Sequence, residues 1–116
     1  MPDVAAMGAS GIYILNPCFL YILKMYFEWD DNKARENVAK HKVTFKEAAT
    51  VFTDPLALIA SDPEHSIVEQ REWIIGTSNL YRVLVVIYTV RDGNTRIISA
   101  RKATIRERKQ YESESY

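Results

Sequence analysis

The chain has few of the residues that build several common kinds of site. Of its 116 residues only Cys18 is a cysteine, and two are histidines. A single cysteine excludes a disulfide framework within the chain, argues against a metal cluster and fits a reducing compartment. No histidines or cysteines have metal-ligand spacing. We therefore expect no metal and no cofactor.

Glycine and long apolar runs are also scarce. The four glycines do not form a phosphate-binding loop. No stretch reaches the ~20 apolar residues that a membrane span requires, so we expect no membrane partner and a cytoplasmic protein. No basic residue precedes Lys24, so the beginning of the chain lacks the pattern of a signal peptide.

Charge is balanced overall but uneven along the chain. The net charge is zero, with 15 basic and 15 acidic residues. Residues 71–111 hold nine basic and three acidic residues, a local charge of +6. This asymmetry favours a polyanion or an acidic protein as the partner of the C-terminal half. A solvated sheet edge and helix face is the alternative interpretation.

Residues 1–24 differ from the rest and predict a non-core extension. They combine small residues with an apolar run at positions 12–23 that Asn16 and Pro17 interrupt. We expect a single domain over residues 25–116, with Met25 as its functional start. The alternative is a short apolar tail that packs on the domain or on a partner.

Two helices are expected after a first strand at residues 25–29. Asp30 has the position of an N-cap for a helix that runs to about Lys40. Periodicity places Ala34 and Val38 on the inner face of this helix and Asn37 on its outer face. An apolar stripe then predicts a second, short helix, and its residues are Phe45, Ala48, Ala49 and Phe52.

Strand patterns fill most of the C-terminal half. Residues 81–90 form a nearly continuous run of Val, Ile and Tyr, which predicts a central strand covered on both faces. The other expected elements are strands at residues 56–60, 69–76 and 96–101, a hairpin turn at residues 92–94 and a last helix ending near Tyr111. Short turns make consecutive strands antiparallel. The predicted fold class is therefore α+β, an antiparallel sheet with two N-terminal helices and one C-terminal helix packed on one side.

Arginines recur in the predicted strands, and strand alternation assigns each one to a face. Arg82 should share a face with Leu84, and Arg101 should share a face with Ile97, while Arg96 lies opposite. Guanidinium groups beside tyrosines suit a phosphodiester, because the guanidinium fork matches phosphate oxygens and aromatic rings stack on bases. Cross-strand ion pairs are an equal alternative.

His41 is the candidate for proton transfer. It lies between Lys40 and Lys42 at the end of the first helix, and an imidazole can accept or donate a proton near neutral pH. A helix C-cap is the alternative role. Cleavage of RNA needs only proton transfer and charge stabilisation, because the ribose 2′-hydroxyl itself attacks the phosphate.

Two ordered sets of residues resemble the BrnT family of type II toxin–antitoxin toxins. The N-terminal set is Phe27-Glu28-Trp29-Asp30, Lys33, Asn37, Lys40-His41, Val43-Thr44-Phe45, Glu47-Ala48 and Val51-Phe52-x-Asp54-Pro55. The C-terminal set is Glu69-x-Arg71, Ile75-Gly76, Ser78, Arg82-Val83-Leu84, Tyr88-Thr89, Arg91, Arg96-Ile97-Ile98-Ser99-Ala100-Arg101, Glu107-Arg108 and Tyr111. Lys42 and Tyr81 depart from the family pattern, which commonly has glycine there. Lys42 could change the turn between the two helices, and the ring of Tyr81 could change the substrate-binding face.

The resemblance implies a RelE-like fold and a metal-independent endoribonuclease toxin that cleaves RNA and inhibits translation and growth. A BrnA-type antitoxin would neutralise it in a heterotetramer, and operator DNA would be bound only through that antitoxin. The expected catalytic residues are His41, Glu69, Arg71, Arg82, Arg101 and Tyr111. The expected RNA-binding residues are Lys33, Lys40, Arg91 and Arg108. Glu69 or His41 is the candidate base, and His41, Lys40 or Tyr111 the candidate acid.

The ribonuclease hypothesis requires Arg71, Arg82 and Arg101 to converge on one exposed concave surface. A rival function is a non-catalytic module that docks an acidic protein through its basic face. A DNA-binding domain is disfavoured, because the chain has no helix-turn-helix pattern and a near-neutral isoelectric point.

Overall fold

The computed structural model describes residues 27–61 and 70–114, which form five strands, three α-helices and one 3-10 turn. The elements are β1 (Phe27–Glu28), α1 (Asp31–His41), α2 (Phe45–Thr50), the 3-10 turn Val51–Thr53, β2 (Leu58–Ser61), β3 (Glu72–Thr77), β4 (Val83–Arg91), β5 (Asn94–Lys102) and α3 (Ile105–Glu114). The predicted α+β class is confirmed. The predicted extension at residues 1–24 lies outside the described residues.

The strands form one sheet with β4 at its centre, as the apolar run of β4 predicts. The strand order is β1-β5-β4-β3-β2. β2, β3, β4 and β5 pair antiparallel, and the short β1 adds a parallel edge beside β5. The β3–β4 and β4–β5 hairpins therefore place the start of β4 and the end of β5 at the same end of the sheet.

A bulge in β5 changes which side chains share a face. The pairing register shifts at Tyr88, which pairs with Ile97, so that Ile98 is an extra residue in β5. Ile97 lies in the main core. Beyond the extra residue the alternation is inverted, so Arg101 faces away from Ile97 and shares a face with Arg96. The prediction that Arg101 shares a face with Ile97 is therefore wrong.

The main core lies between one face of the sheet and helices α1 and α2. Its buried residues are Val43, Phe45, Ala48, Ala49, Val51, Ile74, Leu84, Val86, Tyr88, Ile97 and Ala100. Helix α3 packs on the opposite face, where its Glu107 binds Arg101. The prediction that the helices gather on one side is wrong for α3. Only Tyr111 of α3 is buried. The hydrophobic pattern of α3 therefore does not indicate on which face of the sheet this helix packs.

A polar side chain joins α1 to the sheet. Asn37 is 5% exposed; its Nδ2 donates to the carbonyls of Val43 (2.9 Å) and Ala100 (2.8 Å), and its Oδ1 accepts from the Ala100 N–H (3.1 Å). Val38 is 41% exposed. The predicted orientations of Asn37 and Val38 are therefore reversed. The side-chain amide of Asn37 faces the sheet because the two carbonyls and the N–H that it binds are buried and need hydrogen-bond partners.

Candidate functional site

A polar cleft lies at the end of the sheet where β4 begins and β5 ends. Its volume is about 430 Å³, and it is lined by Tyr81, Arg82, Val83, Lys102, Ala103, Arg108 and Glu112. Three of these side chains are cationic and one is a carboxylate. The balance favours an anionic ligand. Helix α3 supplies Arg108 and Glu112 one turn apart, and the start of β4, the end of β5 and the residues next to these strand ends supply the rest.

Arg82 is held in one orientation by a buried carboxylate. Its Nε donates to Glu47 Oε2 (2.9 Å), and its Nη2 binds Glu47 Oε1 and the Lys42 carbonyl (3.1 Å). The Glu47 side chain is 4% exposed and also accepts from the Ser78 hydroxyl (2.6 Å). The hydrogen bonds with Glu47 raise the pKa of Arg82 above its usual value. Arg82 is therefore a permanent, fixed cation whose side chain is still 30% exposed.

The bond from Arg82 to the Lys42 carbonyl brings the C-terminus of α1 beside the cleft. His41 directly precedes Lys42 and is partly buried, and Lys40 is exposed in the same turn. Of the predicted site residues, Arg82 and Arg108 line the cleft. Lys40 and His41 directly precede Lys42, whose carbonyl binds Arg82.

The two positions that depart from the family pattern share an unusual backbone conformation. Lys42 has φ 60° and Tyr81 has φ 61°. Such left-handed values cost a non-glycine residue roughly 1–2 kcal/mol. In the turn after α1 the Lys42 N–H donates to the Val38 carbonyl (3.0 Å). The turn therefore holds lysine in a conformation that glycine adopts more easily.

Arg101 lies on the α3 face of the sheet and not in the cleft. Its Nη1 and Nη2 donate to the two carboxylate oxygens of Glu107 (2.8 and 2.9 Å), and its guanidinium carbon is 6.0 Å from the centre of the Trp73 ring. The hydrogen bonds from Arg101 lower the pKa of Glu107 to about 2. The convergence of Arg82 and Arg101 that the ribonuclease hypothesis requires is not met. The bulge in β5 places them on opposite faces.

Tyr111 fastens α3 to the sheet. Its hydroxyl donates to Asp54 Oδ2 (2.6 Å) and lies 3.0 Å from Thr77 Oγ1, and the residue is 7% exposed. Asp54 Oδ2 also accepts from the Thr77 N–H (2.9 Å). The structure therefore places the predicted acid Tyr111 in a partly buried polar network with Asp54 and Thr77 and not among the residues that line the cleft.

The remaining predicted residues also lie away from the cleft. Arg91 ends β4, nine residues beyond Arg82, and is thus roughly 30 Å from it along an extended strand. Lys33 lies in the first turn of α1, at the end remote from the cleft. Arg71 is partly buried just before β3 and does not line the cleft. Glu69 lies outside the described residues.

Glu47 and Lys102 lie in or beside the cleft but are not among the site residues predicted from the sequence. Glu47 has capping-box spacing, and its N–H does bind Thr44 Oγ1 (3.0 Å), but its carboxylate is directed inward. The sequence signal for Glu47 is its place as an acidic residue within the apolar stripe of α2. A carboxylate buried there needs a cation as its partner. Lys102 follows Arg101 and carries no comparable signal.

Over residues 27–61 and 70–114 two further features can be ruled out. No three histidine, cysteine, aspartate or glutamate side chains are grouped so that they could hold a metal ion. No helix of these segments is long and apolar enough to cross a membrane.

The α+β fold is that of a known class of small toxin. A 1.1 Å crystal structure of the Brucella abortus ribonuclease toxin BrnT is similar, with a TM-score of 0.51 and 23% sequence identity over 68% of this chain and 97% of that chain. No curated protein matches the chain. Residues 29–107 match the model of the family described as "Ribonuclease toxin, BrnT, of type II toxin-antitoxin system". The chain therefore belongs to the BrnT family.

Proposed function

We propose that this ribonuclease toxin binds its RNA substrate in the cleft lined by Arg82, Lys102 and Arg108. The observation that carries the proposal is the grouping of three cations around a cleft of about 430 Å³. Within the described residues, Lys102 and Arg108 form no salt bridge, whereas Arg82 is held by Glu47. Lys102 and Arg108 can therefore bind phosphate without giving up a carboxylate partner.

His41 is the proposed proton-transfer residue, because it directly precedes Lys42, whose carbonyl accepts a hydrogen bond from Arg82, and Lys40 is the alternative. In the reaction the ribose 2′-oxygen attacks the adjacent phosphorus while a base removes the 2′-hydroxyl proton. The bond from phosphorus to the 5′-oxygen breaks, and an acid protonates that oxygen. The products are a 2′,3′-cyclic phosphate and a 5′-hydroxyl. Arg82 and Lys102 stabilise the added negative charge of the pentacoordinate phosphate.

The wider role follows from the family. We propose that RNA cleavage in the cytoplasm inhibits translation and growth, and that the reaction needs no metal. A BrnA-type antitoxin neutralises the toxin in a heterotetramer, and only the antitoxin contacts operator DNA. Membership of a type II toxin–antitoxin family supports an antitoxin protein as the partner.

The proposed site is tested by removing cations that the fold does not need. The variant Lys102→Ala/Arg108→Ala should cleave RNA at least about 100-fold more slowly, because groups that stabilise transition-state charge are worth that much. The matched control is Arg106→Ala/Lys109→Ala, which removes two exposed cations from α3 outside the cleft. It should cleave at close to the wild-type rate. Cleavage is followed with purified protein in the presence of a chelator, and thermal melting confirms that both variants fold.

Two results would contradict the proposal. If both double variants lose activity equally, net charge and not the cleft governs cleavage. If the wild-type protein leaves RNA intact while binding its antitoxin tightly, the protein is a non-catalytic docking module. A requirement for added metal would overturn only the metal-independent mechanism.

A further inference from the structure

The loop between β3 and β4 has a tyrosine where its backbone favours glycine. Residues 79–81 form a three-residue hairpin loop, because the Tyr81 N–H donates to the Ser78 carbonyl (2.9 Å) and the Ser78 N–H donates to the Arg82 carbonyl (2.8 Å). Hairpin loops of this length commonly end in a left-handed residue, and glycine is preferred there. Tyr81 occupies this position with φ 61°.

Burial of the ring does not offset the strained conformation of Tyr81. The residue is 70% exposed, so it adds little to the hydrophobic core. Of the other two non-glycine residues with positive φ in the described part of the chain, Lys42 caps α1 and Asp92 lies in the β4–β5 turn. Tyr81 is the aromatic residue among the three. A strained backbone at an exposed residue is characteristic of functional positions.

The loop that carries Tyr81 is firmly attached to α2. The Ser78 hydroxyl donates to Glu47 (2.6 Å), and the Asn79 N–H donates to Thr50 Oγ1 (2.9 Å). Ser78 is 4% exposed. Tyr81 itself lines the same cleft as the cations Arg82, Lys102 and Arg108. The fold thus holds an exposed aromatic ring at a fixed place beside a cationic cleft.

We propose that Tyr81 stacks on a nucleobase of the RNA whose phosphates bind the cations of the cleft. The inference rests on the proposed function and adds a specificity-determining residue to it. Aromatic side chains beside cationic grooves hold unstacked bases in this way. Because stacking strength differs among bases, Tyr81 also contributes to the base preference of the toxin.

The test measures binding of a single-stranded 2′-O-methyl oligonucleotide, which lacks the nucleophile and therefore cannot be cleaved. Fluorescence anisotropy should show that Tyr81→Gly binds about 10-fold more weakly, while Tyr81→Phe, which keeps the ring, restores binding. Leu80→Ala is the matched control: it trims an exposed side chain (58%) of the same loop that does not line the cleft. Tyr81→Gly should melt at the same or a higher temperature than the wild type, because glycine relieves the strain.

A second measurement separates stacking from loop geometry. On an oligonucleotide of abasic sugar-phosphates, the wild type and Tyr81→Gly should bind equally, and their salt dependence should be equal because tyrosine carries no charge. If Tyr81→Gly binds the base-bearing oligonucleotide like the wild type, or loses affinity equally for the abasic chain, the inference fails. Failure of the wild type to bind either oligonucleotide would instead overturn the proposed function.

Discussion

Arg82 and Arg101 each bind a glutamate, one on each face of the sheet, in two different environments. Both arginine side chains are 30% exposed. Their partners differ: the Glu47 side chain is 4% exposed, whereas the Glu107 side chain is 20% exposed. A buried carboxylate depends on its cation, while a partly exposed carboxylate can be hydrated when the cation is removed. The exposure of the carboxylate, and not that of the arginine, separates the two pairs.

The two faces also differ in what they offer a ligand. The Arg82 pair borders the cleft, where Lys102 and Arg108 add further positive charge. On the α3 face, Arg101 lies over Trp73 and fixes Glu107, which accepts from the Thr104 N–H (2.8 Å) at the start of α3. We infer that the α3 face is mainly structural and that the Arg82 end of the sheet binds the ligand.

The largest expected difference between the faces is in stability. Arg82→Met keeps part of the alkyl stem but leaves Glu47 buried without its cation, and should lower the free energy of unfolding by about 3 kcal/mol. Arg101→Met should lower it by about 1 kcal/mol or less, because water can replace the guanidinium at Glu107. Chemical denaturation of both variants measures the difference.

A double variant shows whether burial of Glu47 is the cause. Glu47→Gln/Arg82→Met removes the uncompensated charge and should recover part of the stability that Arg82→Met loses. The proposed cause would be ruled out by equal losses in Arg82→Met and Arg101→Met, or by a double variant less stable than Arg82→Met. The result also matters for activity assays, since loss of toxicity in an Arg82 variant can reflect unfolding.

A second, smaller effect concerns Tyr111 on the α3 face. Tyr111→Phe removes the bond to Asp54 Oδ2, which keeps the Thr77 N–H as a partner, so the loss of stability should be about 1–2 kcal/mol. If the hydroxyl is only an anchor, RNA cleavage below the melting temperature should remain near the wild-type rate. A large loss of cleavage in a folded Tyr111→Phe variant would support Tyr111 as the catalytic acid. It would also contradict the inference that the α3 face is mainly structural.

The sequence predicts elements better than it predicts which side chains meet. Hydrophobic patterns and turn signals locate every described helix and strand, because each pattern reflects local burial. The face of Arg101 is mispredicted because the bulge at Ile98 leaves no sign in the apolar pattern of β5. Asn37 and Val38 are mispredicted because hydrogen bonds to Val43 and Ala100, not hydrophobicity, orient α1. These are tertiary effects that a single strand or helix cannot reveal.

The same limit applies to the candidate site. Arg82, Arg108, Lys40 and His41 are predicted from residue type and family pattern, and the structure adds that Arg82 and Arg108 line one cleft. Lys102 is not identified, since a lysine at the end of a strand is ordinary. The pairing of Glu47 with Arg82 spans 35 residues, and only the packing of α2 on the sheet brings the two together.

The smallest expected effect is a pH dependence confined to the Arg101–Glu107 pair. Arg101 lowers the pKa of Glu107 from 4.5 to about 2 in the folded protein. Stabilisation by Glu107 should therefore be complete above about pH 4.5 and decrease as the pH falls toward 2. Glu107→Gln keeps the capping-box spacing but removes the charge. A pKa change of this size corresponds to about 3 kcal/mol without solvent screening, but water reaches this partly exposed pair and screens it, so the wild type should exceed the variant by less than about 1 kcal/mol above pH 4.5. Urea unfolding across this range should show the difference shrinking toward pH 2. A difference that stays constant with pH would mean that the pair contributes through hydrogen bonds and packing, and that charge does not distinguish the two faces.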